Sequence, residues 1–537
     1  MSNRSRRPDL FAPVFVTVLL ITGCSQPPAA DTAAAPAQAP AVDVVELSAS
    51  DARARMDAGT LTSEALTQAY LDRIAAVDDA GPTLNAVIET NPDALDEARA
   101  LDAERAAGRV RGPLHGLPVL LKDNIDVAGM VNSGGSLALA DNRPAADAFL
   151  AARLREAGAV ILGKANLSEW ANFRSTRSTS GWSSRGGQTK NPYVLDRNPC
   201  GSSAGTGSAI AASLAAIGVG TETDGSIICP SSVNGLVGLK PTIGLVSRSG
   251  VIPISISQDT AGPMGRTVTD VALLLNGLSG VDAADPAGPS AEGHVAADYT
   301  AALDAGALKG RRFGVVRQAM GYQPEVDAAF ESAVAAMREA GAEIEDVTIE
   351  SYNAWGQAEN EVLLYEFKDG LNRYLASAGA TPGTLADLIA WNQAHAADAM
   401  PFFGQELFEQ AEAKGPLTDE LYQRSRREAR RLAGADGLIA ALDRGKFDAL
   451  IAPSMSPAWP TDLVLGDHFV GSGYGMAAVA GTPSLTVPVG DTHGLPLGLV
   501  FMGRPWSEAD LLAWGYALEQ KTQARIAPQF TPTLTLP

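Results

Sequence analysis

Asn198 to Ala209 reads NPCGSSAGTGSA, and how this stretch is read decides what kind of fold surrounds it. Gly201 to Gly205 fit G-x-S-x-G with Ser203 in the middle, the pattern of the nucleophile elbow of an α/β-hydrolase. That elbow needs an apolar strand running directly into its first glycine. The preceding residues Thr189–Cys200, TKNPYVLDRNPC, hold two prolines, two asparagines and three charges, and read as loop. An elbow serine also needs a histidine, and the chain has five: His115, His294, His395, His468 and His493. His395 lies in an Ala-rich helical context. His468 and His493 sit in loops and remain open as general bases, but no histidine stands in a motif. The pattern thus points to Ser203 only weakly, and Ser202 beside it stays in play.

Outward from this loop, short apolar runs alternate with helical patterns. Ser208–Ala216, SAIAASLAA, predicts a small-residue helix that leads into a strand at Ile217–Gly220. Upstream, Leu117–Lys122 reads as a short buried strand ending on a charge, and Ala159–Gly163 as another after a helical segment at Asp147–Ala157. Thr62 to Glu64 is a helix start, with Leu66, Tyr70, Ile74 and Val77 on one face. Residues 280–435 carry more helical pattern and charge, Glu359–Lys368 among them. Phe447–Pro453 and Pro483–Pro488 return to strand character. The alternation predicts an α/β fold, and the lack of repeats or long linkers after residue 43 predicts a single large domain.

Lysine offers serine a second route to activation, because a neutral amine is a base. No serine stands three residues before any lysine, so the S-x-x-K form is excluded. Lys122 closes an apolar strand and precedes Asp123 and Asn124. Burial there disfavours its charge and lowers its pKa. On position alone, a snorkelling lysine or a buried ion pair with Asp123 leads over a base. Downstream lies GVGTETDGSIICPSS, Gly218–Ser232. Gly225 permits an unusual backbone turn, and the amides of Thr223, Asp224, Gly225 and Ser226 can converge on a developing oxyanion. A plain strand-to-helix turn explains the same residues.

Taken together, these segments resemble the amidase signature family. The resemblance rests on Cys200–Gly205, CGSSAG, followed by Gly220–Ile227, GTETDGSI, and Gly238–Thr242, GLKPT. Lys122-Asp123-Asn124, Gly163–Trp170, Ser257–Pro263 and Ala480–Ser484 fit as well, so it spans most of residues 44–510. Gly181–Gly205 and the TETDGS form are similar to bacterial peptide amidases. The resemblance implies a large mixed β-sheet covered by helices on both faces, and hydrolysis of carboxamides without metal or cofactor. It implies Ser226 as nucleophile, Ser202 as a bridging serine after a cis peptide bond, Lys122 as base and Ser203 as support. The 24-residue step from Ser202 to Ser226 is the spacing these roles keep in the family. The substrate would be a small-molecule or peptide amide, with an acyl pocket from residues 132–136, 172–179 and 471–474. Two departures stand out. Asp224 replaces a glycine common in the family and points to the peptide-amidase form. Ile228 replaces an arginine, so any role of that arginine is missing here.

The ends and the charge set the surroundings. Arg4, Arg6 and Arg7 precede an apolar run, Leu10–Thr22, which is short for a bilayer span and predicts a signal peptide over residues 1–23. Leu20 to Cys24, LITGC, resembles a bacterial lipobox and would make Cys24 a lipidated N-terminus; a plain secretory signal is the alternative. Ser5-Arg6-Arg7 gives a twin-arginine hint that Pro8 and Asp9 fit poorly. Residues 24–43 are Ala/Pro-rich and predict a flexible linker, with the catalytic domain over 44–537. These features predict a periplasmic or outer-membrane protein that meets the membrane only through that lipid. Of 537 residues, 41 are Lys or Arg and 61 Asp or Glu, a net charge of −20 that argues against nucleic acid as partner and against a charged-tRNA substrate. Cys200 and Cys229, the only other cysteines, are too few for a disulfide framework or a finger-type metal site, though an exported chain can oxidise them to one bridge.

Overall fold

In the computed structural model, residues 12–17 and 42–534 are described. Residues 12–17 carry no helix or strand. Cys24 and most of the predicted signal and linker lie outside the described residues.

Among the described residues, eleven strands form one sheet, most of them short apolar or β-branched runs. They are β1 (Val87–Thr90), β2 (Pro118–Lys122), β3 (Val160–Ala165), β6 (Ile217–Glu222), β7 (Val237–Lys240), β8 (Thr260–Gly265), β9 (Arg312–Val316), β10 (Glu343–Val347), β11 (Ala449–Pro453), β12 (Ser484–Thr492) and β13 (Leu495–Met502); β4 (Trp182–Ser183) and β5 (Gly187–Gln188) make a separate ribbon. The order across the sheet is β1-β3-β2-β6-β8-β7-β12-β13-β11-β9-β10. β3, β2 and β6 are mutually parallel, as are β11, β9 and β10, while the strands between them run antiparallel. Every residue of β2, β3, β6, β7, β8 and β11 is buried. Side chains alternate between the two faces of a strand, so burial at every position means that helices cover both faces. The result is the single α/β domain that the sequence implies.

The fold corrects the sequence reading in two places. The small-residue helix runs over Ala204–Ala211, four residues earlier than expected, with Ser203 at its N-cap position. It stops because Ser213 adopts a φ of 59° and its hydroxyl accepts from the Glu46 amide at 3.0 Å, a long-range bond that outweighs helix propensity. Residues 280–435 are not simply helical. They contain β9 and β10, which form one edge of the main sheet, and β10 is only half-covered, so its polar pattern hides it.

Topology builds the site. β2 and β6 are parallel neighbours with Val119 opposite Ile217 and Leu121 opposite Val219. Parallel strands end on the same edge, which brings Lys122 at the end of β2 beside Thr221 near the end of β6. The helix Ala204–Ala211 starts above this edge. Gly205 is required there: a Cβ would lie 2.2 Å from the Asn166 carbonyl oxygen and 2.4 Å from that of Ala86.

Candidate active site

Lys122 is fully buried. Its Nζ stands 2.6 Å from Ser202 Oγ and donates to Thr221 Oγ1 at 2.8 Å and to the Thr221 carbonyl at 3.3 Å. Among the described residues, no carboxylate touches it. Asp123, the partner that position suggested, turns away and pairs with Lys164 and Arg185, each at 3.2 Å, because successive residues leave β2 in opposite directions. Burial pushes the Lys122 amine down to about 7, against the opposing pull of Asp259 and Glu222. A neutral amine has two N–H donors and one lone pair. The two acceptors of Thr221 take the donors, and the lone pair is left for the Ser202 hydroxyl.

Thr221 is the hub that sequence reading missed. Its hydroxyl also accepts from Asn124 Nδ2 at 3.0 Å, its carbonyl accepts from Ser203 Oγ at 3.0 Å, and its amide donates to Ser203 Oγ at 3.2 Å. The signal was present in outline, since Thr221 opens the TETDGS segment and Asn124 closes Lys122-Asp123-Asn124, but only the strand register shows that they meet. Ser203 is spent on this backbone bracing. Among the described residues, no histidine bonds to it: His115 contacts Leu101 and Arg111, His395 contacts Trp391, and His468 pairs with Asp462. The elbow reading therefore lacks a base.

Ser202 and Ser226 come from separate segments that the fold holds together. The Gly201–Ser202 peptide bond is cis. The Ser203 amide donates to the Ser226 carbonyl at 3.2 Å. Cys200 and Cys229 form a disulfide with Cα atoms 5.9 Å apart, so a covalent link joins the residue before Gly201 to the helix that follows Ser226. Ser226 is 8% exposed, whereas Ser202 is wholly buried.

The turn between β6 and the helix Ile228–Val233 is braced at both sides. Glu222 accepts from the Ile227 and Ile228 amides at 2.8 and 3.0 Å, and the Thr223 hydroxyl donates to Asp259 at 2.5 Å. Burial raises the Asp259 carboxyl to about 6, although bonds from Thr223, Ser255 and Ile254 oppose that. Gly225 takes a φ of +82°, and a Cβ there would sit 2.3 Å from the Tyr474 ring. Among the described residues, the amides of Asp224, Gly225 and Ser226 donate to no protein acceptor.

Asp224 faces a cavity of about 460 Å3, lined also by Tyr322, Tyr352, Trp355 and the 471–475 loop. Of the three segments expected to line an acyl pocket, the 471–474 loop lines this cavity, and Gly134 of 132–136 lines a smaller one beside Asn124 and Trp170. Residues 132–136 are buried, and Asn132 is engaged by Asp126 and Tyr374. Within 172–179, Asn172 bonds Ser180, and Ser175 and Thr176 bond Glu406. Lys240 at the end of β7 is another fully buried amine; it bonds only the Pro241 carbonyl among the described residues, and burial pushes it down to about 8.

Known proteins resemble this chain over most of its length. The Amidase family profile matches residues 65–512. The chain is similar to the crystal structure of native peptide amidase from Stenotrophomonas maltophilia, with 55% identity and a TM-score of 0.88 over 90% of this chain and 99% of the other. It is 39% identical over 498 residues to the "Probable amidase" of Arabidopsis thaliana, 91% of this chain and 92% of the relative. It is also 37% identical over 473 residues to one component of the glutamyl-tRNA(Gln) amidotransferase of Moorella thermoacetica, 86% of this chain and 94% of that protein. A buried lysine meeting a serine at the edge of a mixed sheet, in a chain matched over most of its length, makes this protein a member of the amidase signature family and an amide-hydrolysing enzyme.

Proposed function

We propose that the chain hydrolyses peptide carboxamides to carboxylate and ammonia through Ser226, Ser202 and Lys122. One observation carries this reading: a fully buried Lys122, with no carboxylate among the described residues in contact, sits 2.6 Å from Ser202 Oγ. Neutral Lys122 takes the Ser202 proton as Ser202 takes that of Ser226. Ser226 Oγ attacks the amide carbonyl carbon, and the amides of Thr223, Asp224, Gly225 and Ser226 receive the charge that builds on its oxygen. The proton returns along the same relay to the nitrogen, the C–N bond breaks, and ammonia leaves. Water, giving its proton to Ser202 and so to Lys122, then attacks the acyl-Ser226 ester, and the proton returns to Ser226 Oγ as the carboxylate leaves.

Likeness at 55% identity to a peptide amidase supports the peptide substrate. A net charge of −20 speaks against a charged-tRNA substrate such as the name of the Moorella relative describes. The same reading includes export as a lipoprotein anchored at Cys24; the Cys200–Cys229 disulfide supports it, since such bonds persist in oxidising compartments. Fluorophosphonate labelling tests the site. Ser226→Ala is expected to lose both turnover and label. Label retained in Ser226→Ala but lost in Ser203→Ala overturns the assignment in favour of the elbow serine.

A further inference from the structure

The cavity beside the Ser226 turn has an unusual wall. Among the described residues, Asp224 is the one charged residue that lines it, and no lysine, arginine or histidine does. Asp224 is exposed to the cavity, and among the described residues its carboxylate accepts no hydrogen bond from the protein. Around it stand the rings of Tyr322, Tyr352, Trp355 and Tyr474. The Tyr322 hydroxyl is buried and, among the described residues, has no hydrogen-bond partner. Phe469 and Val470, 51% and 60% exposed, form an apolar stretch of the same wall. A second carboxylate, Glu359, is 8% exposed behind this wall, and only one of its oxygens is bonded, by Gln258 Nε2 at 2.9 Å.

We propose that this cavity is a cation subsite, which selects amides whose acyl part carries an ammonium or guanidinium group on an apolar stem. The inference rests on Ser226 as the nucleophile. Each element of such a group has a counterpart. The charge meets Asp224, backed by Glu359. The electron-rich ring faces attract a cation held against them, an effect strongest in a desolvated site. One N–H reaches the unpartnered Tyr322 oxygen, and the methylene stem lies along Phe469 and Val470. Repulsion from Glu359 and Glu222, opposed by the pull of Lys240, raises the Asp224 carboxyl, and burial raises Glu359 to about 7. A bound cation relieves that repulsion, which a neutral side chain does not. A cavity of about 460 Å3 lies within the range of small-ligand pockets.

The test uses the purified chain and acetylated dipeptide amides ending in lysine, arginine or norleucine, with ammonia release as readout. Norleucine keeps the stem and removes the charge. The wild type is expected to favour the lysine over the norleucine amide by roughly ten-fold in kcat/KM. Asp224→Asn is expected to bring that ratio to about one. The ratio is the readout because it cancels any general loss of rate. If Asp224→Asn does not fold, Tyr322→Phe carries the same test, with a ratio lowered about three-fold. A wild-type ratio of one or below, or a ratio unchanged in the variants, overturns the cation subsite. Absence of ammonia from all three amides overturns instead the peptide-amide reading on which it rests.

Discussion

Lys122 and Lys164 lie on adjacent parallel strands, both with no solvent exposure, and they have opposite surroundings. Lys164 pairs with Leu121 across the β2–β3 ladder, so it shares a face with Leu121 and lies opposite Lys122. On its face, Nζ donates to the carbonyls of Ile125 and Val131 at 2.7 and 3.1 Å and to Asn132 Oδ1 at 3.3 Å, and meets the Asp123 carboxylate at 3.2 Å. All are acceptors, and none has a proton to give. Lys122 meets two hydroxyls and one carbonyl, with no anion in contact. Burial lowers both amines, yet one site is built to hold an ammonium and the other to leave a lone pair facing a hydroxyl. Burial alone does not make a base; the neighbours decide.

Exchanging the two lysines for neutral residues should therefore break different things. Lys122→Ala is expected to lower kcat/KM at pH 7 by about 10³-fold, with partial recovery at high pH, measured by ammonia release. Its stability should hold or rise. The folded pKa lies below the unfolded value, so burying this amine works against folding at low pH, and that handicap fades as pH climbs from about 7 through the unfolded value near ~10.4. Lys164→Met should do the reverse. It leaves buried Asp123 with Arg185 and Ser133 alone, and a loss of about 3 kcal/mol in denaturant unfolding is expected, while kcat of the folded fraction changes little. A Lys164→Met variant as stable as the wild type would show that the ammonium reading of that face is wrong.

Two smaller perturbations sharpen the contrast. Replacing Cys200 and Cys229 by serine opens a link across 29 residues and should cost about 3 kcal/mol of stability, read by thermal unfolding. The hydrogen bond between Ser203 and Ser226 remains to hold the two segments in place. Thr221→Val removes the hydroxyl that binds Lys122 and Asn124. It should lower kcat by roughly ten-fold with KM unchanged, since Thr221 positions the base and does not meet substrate. An altered KM with normal kcat would contradict that role.

Much of this was legible in the sequence, for identifiable reasons. The buried strands β2, β3, β6, β11 and β12 stand out as short apolar runs because both of their faces are covered. Lys122 stands out because a charge ends such a run. What stayed hidden depends on pairs distant in sequence. The direction of Asp123 follows from strand alternation and the Lys164 partner on β3, not from its adjacency to Lys122. The early end of the Ala204–Ala211 helix follows from the Ser213–Glu46 bond across 167 residues. β10 escaped because an edge strand carries exposed glutamates. The Cys200–Cys229 link needed the meeting of a loop and a distant helix that no spacing specifies.

The central claim is that a neutral Lys122 is the base, and the pH dependence of kcat/KM on one neutral peptide amide tests it most directly. Burial also raises Glu359 to about 7, so the profile is taken in wild type and in Glu359→Gln. A base lowered to about 7 predicts a rate that rises ten-fold per pH unit below that point and levels off above it, in both proteins. A flat profile between about pH 5 and 9, or a limb that disappears in Glu359→Gln, would contradict the account.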